Sequence, residues 1–250
     1  MLSVAHLFLN VALGAVFGLL GGLFGIGGGI VAIPVLGFVF GLSQQAAQGT
    51  ALVMMVPNVA IGLWRYYQRR SLNMRYAVTL ALSAIPFTYA GARVATGLPS
   101  GPLRIAFASF TIAIAIYVLW KSFATRSAPA GHAPWYLSSI VGAIGGTLSG
   151  FFSVGGATFA VPAMAAFFGL SQAAAQSMGL ALVAPGTVVG LATYGAAGDV
   201  DWLTGLALAV GGTLAVTYGV DFAHRLPERT LKGFFAVFLF GTALALLAEH

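Results

Sequence analysis

The sequence predicts an all-α, polytopic membrane protein made of two inverted repeats of about five helical segments each, with a broken or re-entrant helix in each repeat. Three observations predict it. Hydrophobic residues make up 59% of the 250-residue chain and charged residues only 6%, with a mean hydropathy of +0.96, a composition suited to lipid as solvent. The charges are confined as well: none lies between Met1 and Trp64 or between Ser127 and Gly198, and each of these blocks is longer than a single span of about 20 residues. Finally, "GLSQQAAQ" at Gly41 to Gln48 returns as "GLSQAAAQ" at Gly169 to Gln176, an offset of 128. The same offset pairs Gly14, Gly18 and Gly22 with Gly142, Gly146 and Gly150, Pro34 with Pro162, Pro57 with Pro185, Tyr66 with Tyr194, and Leu98-Pro99 with Leu226-Pro227. One register held over that length marks a duplication.

Punctuation by glycine, proline and charge divides each half into five apolar segments. The first, 3–24, has no Lys or Arg ahead of its apolar run and no A-x-A cleavage pattern, so it reads as the first helix and not as a removed leader. Gly14, Gly18 and Gly22 form a small-xxx-small stripe on one face of it, which lets two helix backbones approach closely in lipid. It ends in "GGLFGIGGGI", Gly21 to Ile30. The second segment, 28–41, has room for only about 21 Å of helix, short of the roughly 30 Å hydrocarbon core; it is a half-helix or a tucked span. Segments 45–66, 75–95 and 102–122 follow, and all five recur 128 residues later. Residues 3–122 and 131–250 are thus two halves of one membrane domain, joined by a linker at 123–130 within the Pro-containing stretch "RSAPAGHAP".

Charge relates the halves. The loop from Trp64 to Arg75 carries four arginines, while its repeat partner, Ala192 to Leu203, carries none and holds Asp199 and Asp201. Loop 93–104 has two basic residues and its partner 221–232 has three. Because Lys and Arg concentrate in cytoplasmic loops, equivalent loops are expected on opposite sides, which requires an odd number of crossings per half. Five full crossings satisfy this, and so do three crossings with the first two segments folded as a re-entrant hairpin. Either way both termini are expected outside, with loop 64–75 and the central linker in the cytoplasm.

The chemistry available is narrow. There are no cysteines, and His6, His132, His224 and His250 fall in loops or termini at no metal-ligand spacing, so neither metal nor cofactor is expected. A P-loop needs a Lys after its glycines, and a dinucleotide fingerprint needs an acid about 20 residues on; the first Lys is Lys121 and the first acid Asp199. Basic residues Arg65, Arg69, Arg70, Arg75 and Lys121 flank predicted spans, which accounts for the high pI without nucleic acid. The three glycines Gly27, Gly28 and Gly29 have no helical-face logic and mark a discontinuity, echoed by Ser153, Gly155 and Gly156. Broken helices near the midplane can offer free amides and a dipole to an anion; a tight turn between spans is the alternative. Polar residues inside the uncharged blocks are further candidates: Gln48, Thr50 and Asn58 in the first half, Gln176 and Ser177 in the second, with interhelical hydrogen bonding as the competing role. Asn58 is opposed by Gly186. Intramembrane carboxylates, common at proton and sodium sites, are missing; Arg93 and Asp221, which align with each other, are the charged pair with a conceivable electrostatic or coupling role.

A glycine-rich break, a short Pro-containing segment, a "GLS..AA.." turn and a Pro-ended helix, all written twice in about 250 residues, resemble the TauE/SafE family of sulfite and organosulfur anion exporters. The resemblance covers nearly the whole chain. It implies a bacterial inner-membrane secondary transporter that exports small sulfur-containing anions such as sulfite, sulfoacetate or thiosulfate by alternating access, and it extends a pathway-lining role to Gly27, Gly28, Gln48, Gly155, Gly156 and Gln176. The chain would then be no enzyme, with a small anion and membrane lipid as partners and a homodimer as an option. The alternatives are an anion channel, an importer of a small oxyanion, and a non-transporting membrane scaffold.

Overall fold

A computed structural model describes residues 4–68, 72–123, 133–223, 225 and 241. Its helices are α1 (Val4–Phe24), α2 (Gly29–Phe40), α3 (Gln44–Gln68), α4 (Met74–Thr96), α5 (Ser100–Phe123), α6 (Ser138–Phe152), α7 (Gly155–Phe167), α8 (Gln172–Ala196) and α9 (Trp202–Ala223), with a 3₁₀ turn at Trp135–Leu137 before α6. No strand occurs among the described residues. Six of these helices are long and apolar enough to cross a membrane, α2, α6 and α7 being too short. The limits of α8 equal those of α3 plus 128. Most of the expected last segment, 230–250, and most of the linker at 123–130 lie outside the described residues.

Local sequence accounts for where these helices stop. Gly25 takes the left-handed conformation (φ 69) and the Ile26 N–H donates to Gly21 O at 3.2 Å, the Schellman ending that glycine favours. Gly41 (φ 64) and Gly169 (φ 66) end α2 and the α7 segment in the same way. Ser43 Oγ accepts from the Ala46 N–H and Ser171 Oγ from the Ala174 N–H, so the serine of each "GLS" turn is the N-cap of the helix that follows. Asp201 caps α9, its Oδ1 accepting from the Leu203 and Thr204 N–H groups at 3.1 Å each; this acid therefore has a structural reason for its place in the loop.

The halves are interleaved. Gly14, Gly18 and Gly22 of α1 lie against the backbone of Leu208, Gly212 and Val216 of α9, with the two helices parallel. Gly142, Gly146 and Gly150 of α6 lie likewise against Leu80, Ala84 and Thr88 of α4, the positions 128 residues before those α9 partners. Each half thus packs its first helix on the other half's fourth. Between these pairs α3 and α8 run antiparallel, with Gln48 beside Tyr194 and Tyr66 beside Gln176. Large apolar side chains including Phe8, Phe38, Leu82, Leu214 and Tyr218 are exposed around the outside, as a lipid-facing surface requires.

Two opposite faces result. On the near face, Gln45 Nε2 donates to Leu98 O at 2.6 Å and the Asp201 N–H donates to Thr50 Oγ1 at 2.9 Å, tying the α4/α5 and α8/α9 connections to the start of α3. On the far face, the Ala133 N–H donates to Phe167 O at 3.1 Å and Tyr76 meets Phe168 edge-on, 5.4 Å between centroids, joining the starts of α4 and α6 to the end of α7. The segments 3–24 and 28–41 accordingly form a hairpin: α1 starts at the near face, turns at Gly25, and α2 returns to the same face after about 18 Å of helix.

Candidate functional site

The first break is shaped by backbone contacts. Gly27 (φ 75) and Gly28 (φ 86) are left-handed. A Cβ on Gly27 would lie 2.7 Å from Val59 Cγ2, and one on Gly28 would collide with Phe17 O. The first intrahelical bond of α2 runs from the Ala32 N–H to Gly28 O at 3.3 Å, so the amides of Gly29, Ile30 and Val31 have no acceptor within the helix.

The second break is shorter than the sequence suggests. α7 begins at Gly155, two positions ahead of the register of α2, since Gly29 corresponds to residue 157. Ser153 and Val154 alone form the break, and Gly155 and Gly156 belong to the first turn of the helix, where their amides are free of intrahelical partners. Ser153 takes φ 63, the non-glycine left-handed residue among those described, standing where the first half has Gly25. Gly156 packs 2.6 Å from Gly145 O, counting from an added Cβ. Residue 145 is the counterpart of Phe17, so Gly156 closes its hairpin as Gly28 does.

The two helix starts meet. Gly29 abuts the Val154 side chain and Met55 Sδ, with Met55 near the middle of α3 and both side chains fully buried. The arrangement is two half-helix N-termini pointing at one another at mid-depth, separated by a methionine and a valine. Helix dipoles so opposed favour a negative charge between them.

Gln48 and Gln176 lie elsewhere. The Tyr194 hydroxyl donates to Gln48 Oε1 at 2.6 Å, and the Tyr66 hydroxyl donates to Gln176 Oε1 at 2.8 Å. These are the same bond made twice across the offset. Gln176 Nε2 donates to Leu23 O at 3.4 Å, while the Tyr194 oxygen lies 3.2 Å from Gly150 O. Each latch therefore reaches the end of a broken helix, α1 in one case and α6 in the other. The attachment points on α3, Gln48 and Tyr66, are about 27 Å apart along the helix, too far for one small anion to touch both glutamines. Ser153 Oγ faces the Tyr194 hydroxyl without reaching hydrogen-bond geometry.

The remaining candidates separate. Thr50 holds the Asp201 amide at the near face. Ser177 Oγ donates to Ala174 O of its own helix at 2.7 Å. Arg93 is exposed in the last turn of α4 at the near face, whereas Asp221 ends α9 at the far face, so no ion pair joins them. Asn58 is fully buried at the middle of α3, packed against Gly212 of α9, and neither its Nδ2 nor its Oδ1 has a partner. At its counterpart Gly186, the Thr88 and Ser149 hydroxyls approach within 3.3 Å of an added Cβ, and Thr88 Oγ1 is buried without a partner. Sequence reasoning missed Tyr66, Tyr194, Met55, Val154 and Thr88 as site residues. The tyrosines were visible as a matched pair in the repeat; the others carried no signal.

Broken helices and a membrane-facing apolar exterior are features that transport proteins share. A family model described as "Sulfite exporter TauE/SafE" matches residues 10–246. The chain belongs to the TauE/SafE family. Among similar proteins of this type is the probable membrane transporter protein MJ0441 of Methanocaldococcus jannaschii, 31% identical over 179 residues that cover 69% of this chain and 67% of that one. Two from Bacillus subtilis are each 24% identical: the probable membrane transporter protein YdhB over 211 residues, 83% of this chain and 85% of its own, and the probable membrane transporter protein YunE over 246 residues, 88% and 90%. This TauE/SafE protein is a multi-pass membrane transporter.

Proposed function

We propose that the protein is a secondary transporter that moves a small sulfur-containing oxyanion, such as sulfite, thiosulfate or sulfoacetate, across the membrane by alternating access. The observation that carries this reading is the meeting of the α2 and α7 N-termini at Gly29 and Val154. Unpaired first-turn amides with no opposing charge hold an oxyanion firmly enough to strip part of its hydration and weakly enough to release it. Asn58, with a donor and an acceptor both unpaired at the same depth, is the polar side chain best placed to join them after a rotamer change. Export is the direction that the family description carries, and the cycle involves no covalent chemistry.

The inverted-repeat reading is supported by the antiparallel course of the equivalent helices α3 and α8. It explains how one site would serve two sides: the Tyr194–Gln48 and Tyr66–Gln176 latches lie toward opposite ends of the α3/α8 pair, so releasing one opens one face. With both latches formed and Met55 and Val154 filling the gap, the arrangement corresponds to an occluded state. Arg65, Arg69, Arg70 and Arg75 flank the α3/α4 connection, and Lys121 and Arg126 the α5/α6 connection, so the positive-inside rule puts the far face in the cytoplasm and both termini in the periplasm.

Counterflow of radiolabelled thiosulfate and sulfite in proteoliposomes tests the proposal. The parent protein and Gly97→Ala accumulate label, while Gly29→Val, which puts a branched side chain onto Val154 and Met55, lowers counterflow by about tenfold or more. Accumulation of a cation with none of any oxyanion would sink the anion reading.

A further inference from the structure

The two glutamine–tyrosine latches are alike in sequence and unlike in what they offer. In the latch toward the far face, Gln176 Oε1 takes the Tyr66 proton and Gln176 Nε2 donates to Leu23 O, in the last turn of α1. That helix end meets a donor. In the latch toward the near face, the equivalent carbonyl of α6, Phe151 O, lies 3.4 Å from the Tyr194 hydroxyl oxygen, and Gly150 O lies 3.2 Å from it. A phenol has one proton, and Tyr194 gives its own to Gln48 Oε1 at 2.6 Å. What faces the two carbonyls is thus a lone pair. Among the described residues Gln48 Nε2, the counterpart of the Gln176 donor, has no partner.

A fourth oxygen joins these three. Ser153 Oγ, fully buried and without a hydrogen-bond partner among the described residues, faces the same hydroxyl. At its counterpart Gly25 a Cβ would lie 2.8 Å from Gln176 Cβ, so the first latch has no room for such a side chain. The oxygens of Gly150, Phe151, Tyr194 and Ser153 gather at the C-terminal end of α6, where the dipole is negative and last-turn carbonyls find no intrahelical donor. Separations of 3.2 and 3.4 Å suit a coordination shell: oxygens about 2.4 Å from an ion the size of sodium or calcium stand about 3.4 Å apart at adjacent octahedral positions. The Asp199 carboxylate, in the loop after α8, adds negative potential at the hydroxyl. We infer that these four oxygens form a site for a monovalent cation of sodium's size. The ligands are neutral, and a divalent ion would lose more hydration than uncharged oxygens return. Half-helix C-terminal ends hold sodium in other transporters with broken helices. Bound there, the ion ties α6 to α8 and, through Gln48, to α3, so it holds the near face shut. That effect on the cycle rests on the transport reading above; the site itself rests on the geometry.

The test heats the purified protein in detergent, free of any oxyanion, in rising NaCl with choline chloride holding total chloride constant. Tm is expected to rise saturably, by about 3–6 °C at ten times the half-saturating sodium concentration. Ser153→Gly keeps the left-handed turn as the first half does and deletes one ligand, so it should raise that half-saturating concentration by about fivefold, and Tyr194→Phe by about tenfold. Gly62→Ala should leave it within about twofold. If Tyr194→Phe fails to fold, Ser153→Gly carries the comparison. Identical Tm values in NaCl and choline chloride overturn the site, as does an equal response to KCl or a sodium response that neither variant shifts. A response to CaCl2 at lower concentration than to NaCl overturns the monovalent assignment. Counterflow of thiosulfate on the same preparation separates the two readings. A protein that shows the sodium shift and moves no oxyanion removes the transport reading and leaves the site; one that moves thiosulfate and ignores sodium overturns the site alone.

Discussion

Tyr66 and Tyr194 illustrate what single residues do here. Each phenol is buried and gives its one proton to a glutamine of the other half, so Tyr→Phe strands a buried carbonyl oxygen. Removing one partner of a buried bond costs about 1–3 kcal/mol. Tyr66→Phe and Tyr194→Phe should each lower stability by that amount in denaturant unfolding in detergent, and pairing Tyr194→Phe with Gln48→Leu should recover part of the loss. Asp199, in the loop between α8 and α9, offers a pH test. Partial burial raises its carboxyl pKa above the ordinary carboxylate value, so folding favours the protonated form. That contribution is fully present below the unfolded pKa and is lost as pH rises through the folded one. Asp199→Asn should therefore raise Tm at pH 7, with the difference closing as the pH falls below the carboxylate range; a lower Tm at pH 7 would contradict this. Among residue types, the capping serines and the turn glycines were readable because their roles are local. The partners of Gln48, Gln176 and Asn58 were not, since an amide in an apolar run states only that it needs a partner.

At the scale of helices, the glycine stripes carry the assembly. An added methyl at Gly18 would enter the backbone of Gly212, and one at Gly146 would lie 2.5 Å from Ala84 O; backbone on both sides cannot yield as a side chain does. Gly18→Ala and Gly146→Ala should each cost about 1–3 kcal/mol by overpacking, whereas Gly62→Ala, with its nearest contact at 3.4 Å, should be neutral or stabilising by up to about 1 kcal/mol. Thermal unfolding in detergent separates them. A stripe at i, i+4, i+8 states that a helix is met closely along that face, and this was legible. Which helix meets it was not: α1 against α9 and α6 against α4 are pairings between halves, settled by which grooves accept one another. The same holds for the breaks. Three glycines in a row announce an interruption, but the shift of α7 to Gly155 depends on Ser153 taking the left-handed turn that glycine takes in the first half, a conformation costing about 1 kcal/mol or more for a residue with a side chain.

For the whole molecule, the absence of cysteine makes the native chain its own background for topology mapping. Met74→Cys, at an exposed position on the far face, should react with an impermeant maleimide only in inverted vesicles, and Ala197→Cys on the near face only in intact cells or right-side-out spheroplasts. Labelling of both from one side would refute the inverted arrangement. Composition, uncharged blocks and a 128-residue offset were enough to specify a duplicated, helical membrane protein, because those properties follow from matching a chain to lipid and are additive along it. A half-helix could be read from length alone, since a segment of 28–41 cannot cross about 30 Å of hydrocarbon. The tertiary structure decided the rest. It folded α1 and α2 as a hairpin, brought Gly29 against Val154, and sent the two glutamines to opposite ends of the α3/α8 pair. It also set the Gly150 and Phe151 carbonyls against the Tyr194 hydroxyl. The physical reason is that the position of a helix N-terminus or an amide relative to another depends on packing across segments more than a hundred residues apart, where small residues allow many approaches and only the assembled backbone selects one.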